Sequence, residues 1–278
     1  MKLLTILRLC RIFGRIKNLL SSGTPRVPWK MLRIFGLIKT LLSSRLKIFS
    51  LIPILVLLFL SSCSSDNEPV ISFEATPDSI SIHWKDKSDQ PYLQLEQLRL
   101  GLESADKQVL MLTNGGIYEP GEIPTGLHIE NRQTKIPLNT DDKAGNFYAQ
   151  PNGVFYINES EANILATKQY ETLNFLPEYA TQSGPLLIQN NEITDTANQS
   201  QGAKFTRNGV GILKNGNVLF LYSSKKITIK EFAELFKTYG VADALYLDGF
   251  VSRLEIITDG NAINPHTDFA AMIAVTEN

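Results

Sequence analysis

The residues able to do chemistry in this chain are polar groups set beside glycines at the ends of apolar runs. Asp248-Gly249 closes the run ALYL, which puts a carboxylate at the end of a buried-type strand just before a turn. Arg207 opens RNGVGI, and Gln182-Ser183-Gly184 stands where another apolar run, PLLI, begins. Asn114-Gly115-Gly116 follows VLML and leads into IYEPGEIPTG, where Glu119 and Glu122 flank a loop. Such glycines mark either an ordinary turn or the rim of a site where backbone must approach a ligand closely. The ordinary reading applies to each group. Asp-Gly and Asn-Gly are frequent turn pairs, and an isolated Arg is more often half of a surface ion pair. On spacing alone both readings stand.

Other chemistries are easier to exclude. The three histidines, His83, His128 and His266, show neither HxH nor HxxxH spacing, so a histidine-rich metal site is not expected. His128 lies in an alternating strand and reads as a solvated or hydrogen-bonded histidine rather than a catalyst. Asp and Asn side chains suit calcium, but no regular ligand spacing supports a site, and neither metal nor cofactor is expected. Of the two cysteines, Cys10 and Cys63, both fall in or at the end of an N-terminal leader. The body therefore has no thiol for a disulfide, a zinc cluster or a nucleophile.

That leader, residues 1–62, carries eleven Lys or Arg and no acid, and ends in IFSLIPILVLLFL followed by SSC. A basic region, an apolar region and small residues form an export signal. LSSC resembles the lipobox of bacterial lipoproteins, which implies lipidation of Cys63 and a membrane anchor there. LRLCRIFGRIKNLLSS recurs as LRIFGLIKTLLSSR within the leader. This doubling points to an over-extended start with Met31 as initiator, a basic membrane-surface element being the alternative. Ser64 after the cysteine implies outer-membrane sorting, with the protein facing the periplasm or the cell surface. Residues 63–75 are assigned to the lipidated cysteine and tether, and 76–278 to one folded domain.

All 28 acidic residues follow the leader, against 16 basic ones, so the body has a formal charge of −12 while the whole chain reads −1. A body this acidic is a poor nucleic-acid binder. Within it, hydrophobic alternation predicts strands at 79–86, 109–112, 163–167, 243–249, 253–258 and 269–275. NFYAQPNGVFYI reads as two strand pieces bent at Asn152-Gly153. Hairpins are predicted over 126–139 with ENRQ at the turn, over 184–194 with Asn190-Asn191, and over 207–224 with Asn215-Gly216. Residues 228–240 read as a helix, with Thr228 and Glu231 as a capping box and Gly240 at its end. Residues 93–105 read as a second helix, strand being the alternative. The expected class is a strand-rich α+β domain with a mixed or antiparallel sheet and few helices.

In order, the strand into TNGG, then TGLHIENRQ, GNFYAQPNGVFYI, QSGPLLI, RNGVGI and ALYLDGFVSRL resemble the phosphodiester glycosidase domain, from about Val109 to Val275. The family usually has LDGGGS where this chain has Leu247-Asp248-Gly249-Phe250-Val251-Ser252. The resemblance implies hydrolysis of a sugar 1-phosphodiester. An oxocarbenium-like transition state calls for a carboxylate, and a phosphate leaving group calls for cationic and N–H donors more than for a strong acid. It thus casts Asp248, Arg207 and Glu119 as catalytic groups. Asn114, Gly115, Gly116, Gln182, Ser183, Gly184 and Gly249 become contacts to a glycan or sugar-phosphate. The altered glycines keep a second reading open, a non-catalytic glycan-binding or envelope-assembly lipoprotein of the same fold.

Overall fold

The computed structural model describes residues 70–258 and 267–277. The leader, Cys63, the polar stretch 64–69 and His266 lie outside the described residues. Period-two alternation organises what is described into four antiparallel sheets. The largest runs β1 (Val70–Ala75), β14 (Val218–Ile227), β13 (Phe205–Leu213), β15 (Val241–Asp248), β11 (Leu186–Gln189), β12 (Glu192–Ile193). A five-stranded sheet runs β7 (Gln133–Ile136), β6 (His128–Glu130), β10 (Tyr179–Ser183), β8 (Gly153–Asn158), β9 (Glu161–Ala166). A four-stranded sheet runs β16 (Leu254–Ile256), β3 (Val109–Asn114), β17 (Met272–Thr276), β2 (Ile80–His83). A small hairpin pairs β4 (Tyr118–Glu119) with β5 (Ile123–Pro124). The α+β class expected from the sequence is the class observed.

The three larger sheets share one apolar core. Val210, Phe220, Leu245 and Leu247 of the first meet Phe155, Ile157 and Ile164 of the second and Ile82, Met111 and Ile273 of the third. Burial of this continuous apolar surface is the dominant stabilising term. Because side chains alternate along a strand, the other face of the six-stranded sheet needs its own cover. Helix α4 (Ile229–Thr238) supplies it, packing Phe232 and Phe236 over Ala244, Tyr246 and Leu187. Its start is the predicted capping box: Thr228 Oγ1 accepts from Glu231 N at 3.1 Å, and Thr228 N donates to Glu231 Oε2 at 2.7 Å. Helix α1 (Leu95–Glu103) covers the four-stranded sheet through Leu95 and Leu98. Short helices α2 (Thr167–Tyr170) and α3 (Asp195–Gln199) fill sheet edges.

The glycines of RNGVGI serve this packing. A Cβ on Gly209 would come 2.8 Å from Leu245 O and 3.0 Å from Phe232, so β13 presents a flat lane on which α4 lies. The predicted hairpin turns also form. Asn190 and Asn191 take φ of 53° and 66°, Asn131 and Arg132 48° and 61°, and Gly216 87°.

Three expectations are corrected. Residues 70–75 are not tether: Ile71, Phe73 and Ala75 pack onto the main core while β1 pairs along β14. Residues 146–150 are loop rather than strand, because Asn152 Nδ2 donates to Phe147 O at 3.0 Å and curls the chain back. The last strand begins at Met272 rather than 269, since Phe269 N is taken by Leu93 O at 2.6 Å.

Urea unfolding should show Gly209→Ala destabilised by roughly 1–3 kcal/mol through overpacking. Thr228→Ala should lose about 1 kcal/mol through its cap. An unaffected Gly209→Ala midpoint would contradict the lane.

Candidate active site

Strands β13 and β15 run side by side, and their ends meet at a cavity of about 380 Å³ lined by Arg207, Tyr246, Asp248, Gly249 and Glu119. A bulge aims the carboxylate. Asn208 lies opposite Asp248 and Gly209 opposite Tyr246, which leaves Leu247 as the extra residue. Asp248 N is then held by Asn208 Oδ1 at 2.8 Å, while its Oδ1 accepts from Gly249 N and from Phe250 N, the latter at 3.2 Å. Among the described residues nothing donates to Oδ2. Burial pushes the Asp248 carboxyl above its usual range, against the opposing pull of those two N–H groups and of Arg207.

Arg207 is 2% exposed. Its guanidinium donates to Ile227 O at 3.0 Å, Tyr246 Oη at 2.6 Å and Ala203 O at 2.8 Å, all neutral acceptors. The rings of Phe205 and Tyr246 lie 5.4 and 5.3 Å from its carbon. No carboxylate among the described residues forms a salt bridge with it, and Asp248 acts on it only through space. A buried cation held by neutral groups retains unused N–H donors and is short of negative charge. Anion binding is what such an arrangement can do. Gly249 sits against this pair so closely that a Cβ would overlap Tyr246 Oη and Arg207 Nη1. This position admits glycine alone.

Two loops form the remaining walls. Glu119 and Pro120 come from the β4–β5 hairpin, which Trp84 pins by donating from Nε1 to Glu122 O at 2.9 Å. Ala144 to Tyr148 form the other, with Phe147 and Tyr148 edge to face at 4.9 Å. Glu119 is exposed on its wall.

The remaining sequence candidates stand behind the cavity rather than in its lining. Asn114 is buried, its Oδ1 accepting from Arg253 N at 2.8 Å and Asn208 Nδ2 at 3.1 Å. Gly115 lies against Ala271, and a Cβ on Gly116 would overlap Gln182 O. Gln182 is occupied on both ends: Oε1 accepts from Leu127 N and Asn139 N, and Nε2 donates to Asn139 O and Thr167 Oγ1. Ser183 Oγ donates to Leu247 O at 2.8 Å, one residue before the carboxylate. Gly184 makes room for Asn152 and Phe147 O, which sets the 144–148 wall. The glycines of TNGG and QSGP therefore serve close contact between chains.

His128 lies away from the cavity, fully buried with Nε2 2.6 Å from Glu130 Oε1. No group of three His, Cys, Asp or Glu among the described residues is placed to hold a metal.

Sequence reasoning missed Asn208, Tyr246, Phe205 and Phe250. Asn208 had a legible signal, an amide in a strand at a position otherwise buried. Its Nδ2 donates to Asn114 O at 2.8 Å and its Oδ1 accepts from Asp248 N, so one side chain joins two sheets beneath the site.

A buried, unpaired guanidinium beside a half-free carboxylate, at strand ends in an antiparallel α+β domain, defines the type of site. A family profile for phosphodiester glycosidases matches residues 107–275. The chain belongs to the phosphodiester glycosidase family, as the ordered motifs indicated. It is 33% identical over 232 residues to the Escherichia coli (strain K12) protein YigE, itself described as uncharacterized, covering 80% of this chain and 90% of that one. Its fold is similar to the catalytic domain of zebrafish N-acetylglucosamine-1-phosphodiester alpha-N-acetylglucosaminidase auto-inhibited by its pro-peptide. That similarity has a TM-score of 0.51 and 13% identity, over 77% of this chain and 86% of that one.

Two stability measurements check this geometry. Asn208→Ala strands several buried partners at roughly 1–3 kcal/mol each and should lower stability sharply. For Asp248 the folded-state acidity is weaker than the unfolded, whose value is near 3.8. Its contribution is therefore most favourable at low pH and declines as pH rises through that value to the folded one. Asp248→Asn should raise Tm at pH 7, with the gain fading as pH falls towards the ordinary aspartate range.

Proposed function

We propose that this protein hydrolyses glycosyl 1-phosphodiester bonds in a phosphate-containing glycan or glycoconjugate, anchored at the bacterial outer membrane by a lipid on Cys63. The observation that carries the reading is the buried Arg207 guanidinium, which has no carboxylate hydrogen-bond partner among the described residues and stands beside Asp248 in one cavity. Family membership supports the same chemistry, and the name of the zebrafish neighbour describes an enzyme acting on such a bond.

In this reading the free Arg207 N–H groups take the phosphate oxygens. The phosphate leaves as a monoester, so the growing charge falls on a cation already fixed by its neutral acceptors, with no reorganisation needed at the moment of bond cleavage. Asp248 Oδ2 faces the anomeric carbon, where positive charge develops in an oxocarbenium-like transition state. Burial makes that carboxylate-to-carbon attraction stronger than it would be in water. Tyr246 holds the guanidinium in place, and Gly249 leaves room for that Tyr246–Arg207 pair. Glu119, exposed on the cavity wall, handles the proton of water in this reading. The acidic body disfavours nucleic acid as the phosphodiester taken, since it offers a backbone polyanion no basic track.

The test is release of free sugar from a panel of sugar 1-phosphodiesters by the detergent-solubilised full chain. Asp248→Asn should lower kcat by about 10²–10⁴. Arg207→Lys should also fall steeply, because an ammonium cannot reproduce the planar fork. Turnover should rise with pH along an acid limb whose midpoint lies above 3.8, since Asp248 must be ionised and burial raises its pKa. Wild type and Asp248→Asn equally inactive across the panel, with the glycan still bound, would replace this reading by glycan binding without turnover. For the anchor, Cys63→Ser should move the protein from the membrane to the soluble fraction.

A further inference from the structure

The cavity has a feature that neither the carboxylate nor the guanidinium requires. Phe250 is 79% exposed, the most exposed of the large apolar residues described, yet it is among the residues lining the cavity. Its position is not free. Phe250 N donates to Asp248 Oδ1 at 3.2 Å, and Ser252 Oγ donates to Asp248 O at 2.9 Å, so the turn carrying the ring is tied to Asp248 twice, once at its carboxylate and once at its backbone carbonyl. The ring meets Phe205 edge to face at 5.8 Å. Phe205 in turn lies 5.4 Å from the Arg207 guanidinium. Guanidinium, inner ring and outer ring thus form a continuous series leading from the buried anion position to solvent.

We propose that Phe250, backed by Phe205, is a specificity-determining ledge for the group esterified to the phosphate on its far side. The ledge selects an aglycone that presents a ring face, aromatic or pyranose, directly beyond the phosphate. The inference rests on Arg207 being the phosphate anchor. With phosphate oxygens on Arg207 and the sugar towards Asp248, the second ester oxygen must point away from the carboxylate, along the Phe205–Phe250 series. A flat apolar surface fixed at that distance offers stacking and C–H contacts to a ring and almost nothing to a methyl group. Holding so large an apolar ring in water is unfavourable unless a ligand covers it. The chain has Phe250-Val251 where the family it resembles usually has glycines.

The experiment uses the full chain in detergent and two non-hydrolysable phosphonate analogues of N-acetylglucosamine 1-phosphate, one esterified with benzyl and one with methyl. Calorimetry should show the benzyl ester bound roughly three- to tenfold more tightly by wild type. Phe250→Ala should erase that preference while leaving the methyl ester within about twofold, and Phe250→Trp should keep it. In hydrolysis of the matching phosphodiesters, whose leaving groups are similar, Phe250→Ala should act on KM for the benzyl substrate alone. Equal affinity of wild type for the two esters overturns the ledge and leaves the hydrolase reading intact. Measurable binding of neither overturns the phosphodiester reading itself, and the ledge with it. An equal loss on both esters in Phe250→Ala also rejects the ledge, since it would make Phe250 a support for the turn.

Discussion

Asn208 is the constraint on which the rest depends. Its amide bridges Asn114 on the four-stranded sheet and Asp248 on the six-stranded one, and it is buried where no water replaces a lost partner. An amide with donors and acceptors at fixed angles accepts only one relative placement of those strands. Apolar packing between the sheets would tolerate small slips, because the hydrophobic effect has no direction. The hydrogen-bonded amide pair removes that freedom, and the register of Asp248 against Arg207 follows from it. The bulge at Leu247 and the Ser183 bond to Leu247 O act at the same place, so the carboxylate is positioned from three elements.

Electrostatics then divides structure from chemistry. The described ion pairs lie mainly on exposed surface, such as Lys237 with Glu192 and Lys204 with Glu231, where solvent screens them. The buried charges at the strand ends are treated differently. Arg207 is satisfied by carbonyls and a phenol, and Asp248 by backbone N–H groups on one oxygen only. Such an arrangement is poor for stability and good for polarising a bound group.

Much of this was legible in sequence because local rules and tertiary packing agree. The capping box at Thr228, the Asn-Asn and Asn-Gly turns, and the alternating strands follow from short-range chemistry that tertiary structure did not override. Asp248, Arg207 and Glu119 were singled out through the family resemblance, spacing alone leaving turn and site readings open, and all three line one cavity. The glycines of TNGG and QSGP were misleading in role. A glycine required for backbone contact with a ligand and one required for contact with Ala271 or Gln182 look identical in sequence. Val70–Ala75 was hidden by its neighbour, a polar stretch that drew the domain boundary too far along the chain. The aromatic wall at Phe205 and Phe250 could not be read from spacing, since Phe205 opens β13, Phe250 lies in the turn after β15, and they meet only in the folded domain.

The cavity walls come from residues within 117–125, 144–148, 205–207 and 246–250, four stretches far apart along the chain and supported by three sheets. The site is therefore a long-range object: among the described residues no hairpin or helix contains two of its walls. Non-local pairing of this kind carries a high loop-closure cost and forms late and slowly. A partly folded chain would display the exposed strands and none of the anion-binding geometry. Competence for a ligand is in this sense a reporter of completed topology, and ligand present during folding could reward only the last step.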